Sequence, residues 1–551
     1  MMRRLSGDFV PVSLRAPRTS TTLIARPLPS ARPNVVVHAV DMGFSSGKTP
    51  TLALYKIDGQ LQLHYAGNEI PFVYGVDKAA HTIDRISLMS GIRTAIIGAS
   101  KQFEPSIPRI VTVDTMGAGL TVIGPGEREA VPMILYTNPL KAAGHAAIAE
   151  ILGAGDESSA LLNLQLACAG QVKVDVYNLF HLAGLRRNGL DLSSQYRILN
   201  LPDFILRDLS ENNVEVTEPS FVRVTLCGDR TALNWNSELL SRLAINCRFP
   251  SIVPTGQDLG SLELGLIQEM NAESARLTAG LTHDTAGSVA GLEMCTDPDD
   301  ITESSGSWDI LCAPIKADEI TDEIIRELYK QSLGVEGGTG NEFIAANVKG
   351  GMLVEDLLKD LGMTGDGRFD RLFAGIADES MPYALIDLES NGFLYKQGEG
   401  IKEAIEKWCW NTNQVFEGDN VGFLAKTIAM SIIMGKVERI NQLRTIMGML
   451  GRQPKSVQAG GGFAMNNQML TQAFADACNL KVRLRFKGLS GIGNAAIALV
   501  GAGHATRDQM RQCLEELSSQ VVFEPAIDAA TRALWDRVYR RYLDIKEKAA
   551  T

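Results

Sequence analysis

His283 and Asp284 stand side by side near the midpoint of the 551-residue chain, in the run Leu281-Thr-His-Asp-Thr-Ala-Gly-Ser288. The small residues after them leave room for a substrate beside a carboxylate. Downstream, Ser304-Ser-Gly-Ser-Trp308 offers hydroxyls and backbone N–H groups around Gly306, donors suited to holding a phosphate. A carboxylate near a phosphate cradle is the minimum apparatus for moving a phosphoryl group onto a hydroxyl. The same residues also fit a loop with a helix-capping Asp and a Ser-rich turn.

The elements around two further stretches narrow the choice. Asn34-Val-Val-Val-His-Ala-Val40 reads as a buried strand and leads into Asp41-Met-Gly-Phe-Ser-Ser-Gly-Lys48. Gly43, Gly47, Lys48 and Thr49 resemble a P-loop one residue short. A P-loop must run into a helix, and here Leu52–Ile57 and Leu61–Leu63 flank Asp58-Gly59, the signature of a hairpin. The P-loop is therefore rejected. A Gly/Ser turn at a strand tip still presents N–H groups to phosphate, and Asp41 is placed to reach a magnesium ion through water. Gly460, Gly461 and Gly462 follow a strand and precede a helix over Gln468–Ala477, so backbone there can approach a flat or charged ligand.

Ile110–Ile123 reads as a strand pair broken at Gly117 and Gly119. Helical spacing marks Leu161–Ala167, Val176–Leu185, Asp322–Gln331, Leu353–Leu361, Ile401–Trp410 and Asp419–Arg444. Asp203 after Leu201-Pro202 fits a short helix cap. Gly491–Val500 is a small-residue helix able to pack tightly, and 527–549 is a charged terminal helix.

Length predicts about two to four domains. The chain is 45% hydrophobic and 21% charged, with net charge −11, which argues against nonspecific nucleic-acid binding. Eight cysteines are scattered without a C-x-x-C pair, so neither a zinc site nor a disulfide framework is expected. No apolar run reaches membrane-spanning length. Residues 1–33 carry six arginines and one acid. They are expected to be a disordered extension or targeting segment, dispensable for fold and catalysis. The expected location is cytoplasmic, or organellar if 1–33 is a transit peptide.

Taken in order, Asp41-x-Gly-x-Ser-Ser-Gly-Lys48, His283-Asp-Thr-Ala286 with Ser304–Trp308, and Gly460-Gly-Gly-x-x-x-Asn466 resemble the FGGY carbohydrate kinases of the actin-like ATPase superfamily. The rhamnulokinase branch is nearest, sharing Leu201-Pro-Asp-Phe204, Thr217-Glu-Pro219, Asn391-Gly-Phe-Leu394 and Gly491-Ile-Gly-Asn494. The resemblance spans roughly residues 36–520. It implies an α/β fold of two actin-like (ribonuclease H-like) domains, 34–286 on the sugar side and 287–551 on the nucleotide side, with a cleft between them. It further implies ATP and Mg²⁺ as cofactors, a small-molecule sugar as substrate, and a monomer or homodimer with no nucleic-acid or membrane partner. Asp284 matches the catalytic base. Gly117, His283, Thr285 and Asn347 match sugar contacts. Phe44, Ser45, Ser46, Gly47, Lys48, Ser307, Glu355, Gly460, Gly461 and Gly462 match nucleotide contacts.

Departures fall on the sugar side. Tyr136-Thr-Asn138 replaces a Tyr-Arg-Asp motif, and Met116 stands where the pattern has Trp. Lys48 replaces Arg, Ser307 replaces Thr, and Glu355 replaces Gln. The expected reaction is transfer of the γ-phosphate of ATP to a hydroxyl of a ketose or related polyol other than L-rhamnulose. The alternatives are a kinase of another small polyol or signalling metabolite, or a catalytically inactive nucleotide-binding regulator.

Overall fold

The computed structural model describes residues 10–12, 14 and 29–550, apart from 44–45, 67–68, 154, 174–175, 295–296, 298, 339, 366, 375, 389–399 and 519–520. Phe44, Ser45 and the Asn391–Leu394 motif lie outside the described residues.

Each half of the chain builds a sheet on the same plan. The first contributes β1 (Val35–Met42), β2 (Thr51–Ile57), β3 (Gln60–Tyr65), β4 (Arg109–Thr115) and β5 (Ala275–Ala279). β1 to β3 form an antiparallel meander, and β4 and β5 then extend the sheet in parallel on the other side of β1. The second contributes β6 (Ile301–Ser305), β7 (Trp308–Pro314), β8 (Phe343–Lys349), β9 (Ser456–Gly460) and β10 (Lys481–Leu484), with the same meander and the same two parallel additions. The order 3-2-1-4-5, used twice, is the duplicated ribonuclease H-like architecture of the actin-like fold. β1 is apolar but for His38 and Asp41 and is buried along nearly all its length, because both faces of its sheet are covered.

Asp58 and Gly59 take φ of +50° and +83°, the left-handed pair a two-residue hairpin needs. After β1 the chain reverses into the short strand Ser46–Thr49, with Asp41 opposite Lys48, so a hairpin and not a helix follows Gly43. The run Ile110–Ile123 differs from its sequence reading. Its first strand is β4, but Gly119–Ile123 pairs instead within a separate five-stranded sheet against Glu129–Leu135 and Arg197–Asn200. The chain crosses between two sheets at Met116–Ala118.

Three helices matter for the site. α1 (Asp284–Glu293) follows β5, α2 (Val421–Met449) underlies the second sheet, and α3 (Leu489–Gly501) comes late in the chain. α3 packs on α1, β1 and β4, so an element of the second half completes the layer over the first sheet. Gly493 lies so close to α1 that a Cβ would overlap the Gly287 carbonyl. Glycine here permits backbone-to-backbone packing, which a small-residue helix predicts.

The few described residues ahead of 29 make contacts that an extension docking nowhere would not make. Val12 and Leu14 are 0% and 1% exposed and join the core around α2. Lys426 on α2 donates from Nζ to the Val12 carbonyl (2.9 Å) and the Asp378 carbonyl (2.6 Å), and Tyr383 Oη donates to the Val10 carbonyl (2.9 Å). Burial pushes the Lys426 ammonium down to about 8. Val10, Val12 and Leu14 alternate at the period of an extended strand, a signal submerged in the Arg/Ser/Pro composition around it.

A chain beginning at Asn34 loses both buried side chains and one of the two Lys426 acceptors. Each apolar side chain is worth about 1.5–3 kcal/mol. The truncated protein is expected to melt several degrees below the full chain, and the double substitution Val12→Asp, Leu14→Asp to melt lower as well. Unchanged melting of both would return the segment to a dispensable tail.

Candidate active site

The two sheets meet at a cleft of about 370 Å³. Asp41, Lys48, Gly117, His283, Asp284 and Thr285 line it from the first half, and Ser307, Asn347, Gly461 and Gly462 from the second. Glu355 lies instead in an adjoining cavity of about 230 Å³ with Phe369, Phe463, Asn466 and Asn467. Gly306, Ser307 and Gly462 border both spaces and connect them. Ser46 and Gly47 occupy the hairpin strand beside Lys48 without lining the cleft. Gly460 is the buried end of β9, packed against Leu489 and the Phe486 carbonyl. Of the three consecutive glycines, only the second and third reach the cleft.

His283 and Asp284 are held from below by a buried carboxylate. Glu218 Oε1 accepts the Thr282 N–H (3.0 Å), the Thr282 hydroxyl (2.9 Å) and the Ser220 hydroxyl, while Oε2 accepts the Thr255 hydroxyl (2.9 Å) and the Ser220 N–H (3.0 Å). Thr115 bridges His283 from β4. The turn before α1 is thus fixed on two sides, which explains the Thr217-Glu-Pro motif. Asp284 is the first residue of α1, where the helix dipole favours a negative group. Gly117 faces the imidazole so closely that a Cβ would lie 2.7 Å from His283 Nε2.

These groups share a poorly hydrated space, and their proton affinities follow. Although 37% of its side chain meets the cleft, Asp284 is raised to about 7, by desolvation first and then by the charge of Asp41. The Thr285 N–H and hydroxyl oppose the shift. Burial lowers His283 to about 3, so its ring is neutral at ordinary pH. The 3.4 Å approach of His283 Nε2 to Asp284 Oδ1 is then a polar contact and not an ion pair. Asp114, fully buried at the end of β4, is raised well above the usual carboxylate range by burial and by Asp41. The Asn494 amide donates to its Oδ2 (3.0 Å) and partly offsets this.

Asp41 Oδ2 accepts the Ser490 hydroxyl (2.8 Å), and Lys48 Nζ stands 3.8 Å from Asp41 and 3.2 Å from Glu69. Among the described residues no cluster of three His, Cys, Asp or Glu side chains is arranged to hold a metal. Asp41, on the wall of a phosphate-sized space that Asp284 also lines, does fit magnesium, which keeps most of its waters and takes few protein ligands.

The second loop is the β6–β7 turn. The N–H groups of Gly351 and Met352 donate to the Gly306 and Ser307 carbonyls (3.0 and 3.1 Å). Below it, Lys436 from α2 bridges Glu303 (2.5 Å) and Asp309 (2.8 Å), and Asp309 also accepts the Ser305 hydroxyl (2.7 Å). The two acids more than offset the desolvation of Lys436 and hold its pKa above the usual lysine range. Gly461 takes φ +102°, and a Cβ there would overlap the Ser305 carbonyl.

The sugar-side departures divide. Met116 and Tyr136 line the cleft, but Thr137 and Asn138 do not. Thr137 bonds His81 (2.9 Å), and Asn138 binds the Ala80 carbonyl (3.2 Å) and the Leu140 N–H (3.0 Å). Their replacement of a charged pair alters support around the cleft and not its surface. Sequence reasoning missed Tyr177, Glu336, Lys487 and Ser490, all of which line the cleft. Ser490 borders the Gly491–Asn494 motif and was within reach. Glu336 lies in a three-residue strand with no motif to mark it.

No protein-family model matches the chain. A rhamnulokinase from Enterococcus faecalis is 25% identical over 335 residues, 60% of this chain and 65% of that protein, so the match spans about two thirds of the relative. A rhamnulokinase from Enterobacter sp. is 25% identical over 499 residues, 88% of this chain and 94% of that protein. In fold, a ligand-bound xylulose kinase from Lactobacillus acidophilus superposes with a TM-score of 0.71 at 12% identity, covering 94% of this chain and 98% of the other.

Two outcomes follow from the geometry. Because the raised Asp284 must be ionised to accept a proton, kcat/KM is expected to fall as pH drops through about 7 and to level off above it. A profile flat down to the ordinary carboxylate range would remove Asp284 from that role. Glu218→Gln retains shape but turns one acceptor oxygen into a donor facing donors. It is expected to cost about 1–3 kcal/mol in denaturant unfolding and to lower kcat by displacing the His283–Asp284 turn.

Proposed function

We propose that this chain, an FGGY carbohydrate kinase that uses ATP to phosphorylate a sugar or polyol, works through Asp284 as general base in the larger cavity, which joins the smaller one at Gly306, Ser307 and Gly462. The observation that carries this assignment is the placement of Asp284, at the start of α1, in one cleft with the Ser304–Trp308 turn. The acceptor is a ketose or related polyol. Its hydroxyl proton passes to Asp284 as the oxygen bonds to the γ-phosphorus, and the bond from that phosphorus to the β–γ bridging oxygen breaks to release ADP. A base near neutrality takes the proton as the bond forms and can give it up to water afterwards.

The remaining residues orient the reactants. Lys48 supplies a cation, and backbone N–H groups around Ser307, Gly461 and Gly462 supply donors, for the phosphate chain. Phe369 and Phe463 offer flat apolar surface for the base in the smaller cavity. Glu355, held by Arg368 at 2.7 and 2.9 Å, offers acceptor oxygens for a ribose hydroxyl. Asp41 would hold the water shell of magnesium, which when bound neutralises charge on the phosphates.

Asp284→Asn retains size and helix start but cannot accept the proton. Its kcat is expected to drop by about 10²–10⁴-fold with ATP affinity largely kept. Near-full turnover would place the base elsewhere. Coupled ADP release across L-rhamnulose, L-fuculose, D-xylulose, D-ribulose and glycerol identifies the acceptor. With Met116 on the cleft wall in place of an aromatic ring, L-rhamnulose is expected to rank below another member. ATP binding with no turnover of any sugar would make the chain a nucleotide-binding regulator.

A further inference from the structure

Glu336 carries a second carboxylate into the cleft, on the far side of the His283 ring from Asp284. Asp284 Oδ1 approaches Nε2 (3.4 Å), whereas Glu336 Oε2 approaches Nδ1 (3.8 Å). The strand Gly334–Glu336 pairs with β8, and the Val335 N–H donates to the Ala169 carbonyl (2.9 Å). Glu336 therefore sits where the halves touch and cannot swing out to solvent. Its side chain is 6% exposed. Oε1 accepts the Tyr177 hydroxyl at 3.3 Å, and Oε2 has no hydrogen-bond partner.

Two more buried atoms nearby are unpartnered. Asn347 gives its Nδ2 to Gln171 (2.9 Å) and leaves Oδ1 free, and His283 Nδ1 is also free. An unsatisfied buried polar atom costs about as much as a lost hydrogen bond, so three at one spot mark a place where something else completes them. Glu336 Oε2 and Asn347 Oδ1 call for donors. Arg223 lies behind Glu336, spends Nη1 on the Arg230 carbonyl (2.5 Å) and does not line the cleft. The lining cations, Lys48 and Lys487, stand toward Asp41 and the start of α3. Val176, Val224 and Met116 supply the apolar wall.

We propose that Glu336 is a specificity-determining residue: with Asn347 it accepts hydroxyl hydrogens from the acceptor carbons beyond the phosphorylated one, and it excludes acceptors that carry a carboxylate there. This rests on the kinase reading for which end of the substrate reacts. The substrate class becomes a neutral polyhydroxy compound with adjacent hydroxyls, and aldonic acids are rejected. A neutral acceptor with its reacting oxygen at Asp284 runs past the imidazole to Glu336. Burial lifts the Glu336 carboxyl to about 7, so at pH 8, where the comparison is made, it is ionised, and an acid lying there would bring two desolvated negative charges together.

The test uses the full chain with Glu336→Gln, which keeps shape and removes charge, and Glu336→Leu, which removes the acceptor oxygens. The neutral sugars above and D-gluconate are compared both by calorimetric binding and by coupled ADP release, with melting and ATP binding as controls for folding. The wild type is expected to favour a neutral acceptor. Glu336→Leu should raise KM for it about 10–100-fold with kcat changed far less, and Glu336→Gln should narrow the neutral-to-gluconate ratio by about tenfold or more. The proposal is overturned if the wild type binds gluconate as well as its best neutral acceptor, if it binds no neutral acceptor, or if both variants leave affinity and ratio within about twofold. Should sugars bind without ADP release, the kinase reading fails, and the binding ratios still decide the role of Glu336. Should Glu336→Leu misfold, the Gln variant decides through the ratio alone.

Discussion

The close crossing of α1 and α3 is the contact on which the site depends. Gly287 and Gly291 on one helix and Gly493 on the other bring backbone against backbone. That proximity lets α3, made more than two hundred residues later than α1, deliver two side chains to the first sheet. Ser490 donates to Asp41, and Asn494 binds Asp114, the Thr112 hydroxyl (3.0 Å) and the Leu281 N–H (3.0 Å). Asp284 starts α1, Asp41 ends β1, and Asp114 ends β4. One helix from the second half therefore ties together the three carboxyls of the first. A methyl group at Gly493 would wedge the helices apart and loosen all three at once, because close-packed interiors have no slack to absorb it.

The electrostatics of the cleft follow from that crowding. Asp41, Asp284 and Glu336 line a partly dry space in which Lys48 and Lys487 are the lining cations, and Asp114 is buried beside Asp41 on the neighbouring strand. Acids held together in low dielectric raise one another's proton affinity, and most of the shift comes from desolvation. The second half solves the opposite problem beneath its phosphate turn. There Lys436 is matched by Glu303 and Asp309, and the ion cluster serves as a rigid footing. The cleft carries more acids than cations on its wall, whereas beneath the phosphate turn each buried charge is matched.

Local signals carried most of the fold. Hairpins, the apolar run of β1 and the helical periodicities of α2 and α3 are written in consecutive residues, and the structure has each of them near its expected bounds. The pairing of Ile110–Ile123 was misread because two adjacent strand-like runs look the same whether they join one sheet or two; only long-range partners decide. Within the candidate site, Asp284, His283, Ser307 and Gly461 stood out by their spacing in the sequence, and the structure gathers all four at one cleft. Thr137 and Asn138 were assigned to a pocket they only support, since a motif records which residues matter and not which way they face. Glu336 was invisible. Its surroundings come from Tyr177 and His283, which reach it from distant parts of the chain, and from Asn347, which lines the same cleft from the paired strand β8.

The seat of Val12 and Leu14 has a bearing on how the chain is made. These residues leave the ribosome more than four hundred residues ahead of Lys426 and the rest of α2 that cover them. Through nearly all of synthesis the segment has no place to go. The entropy of closing so long a loop grows only slowly with its length, so the delay is kinetic and not thermodynamic. Docking of Val12 and Leu14 thus waits for α2, and their burial reports that this helix is in place.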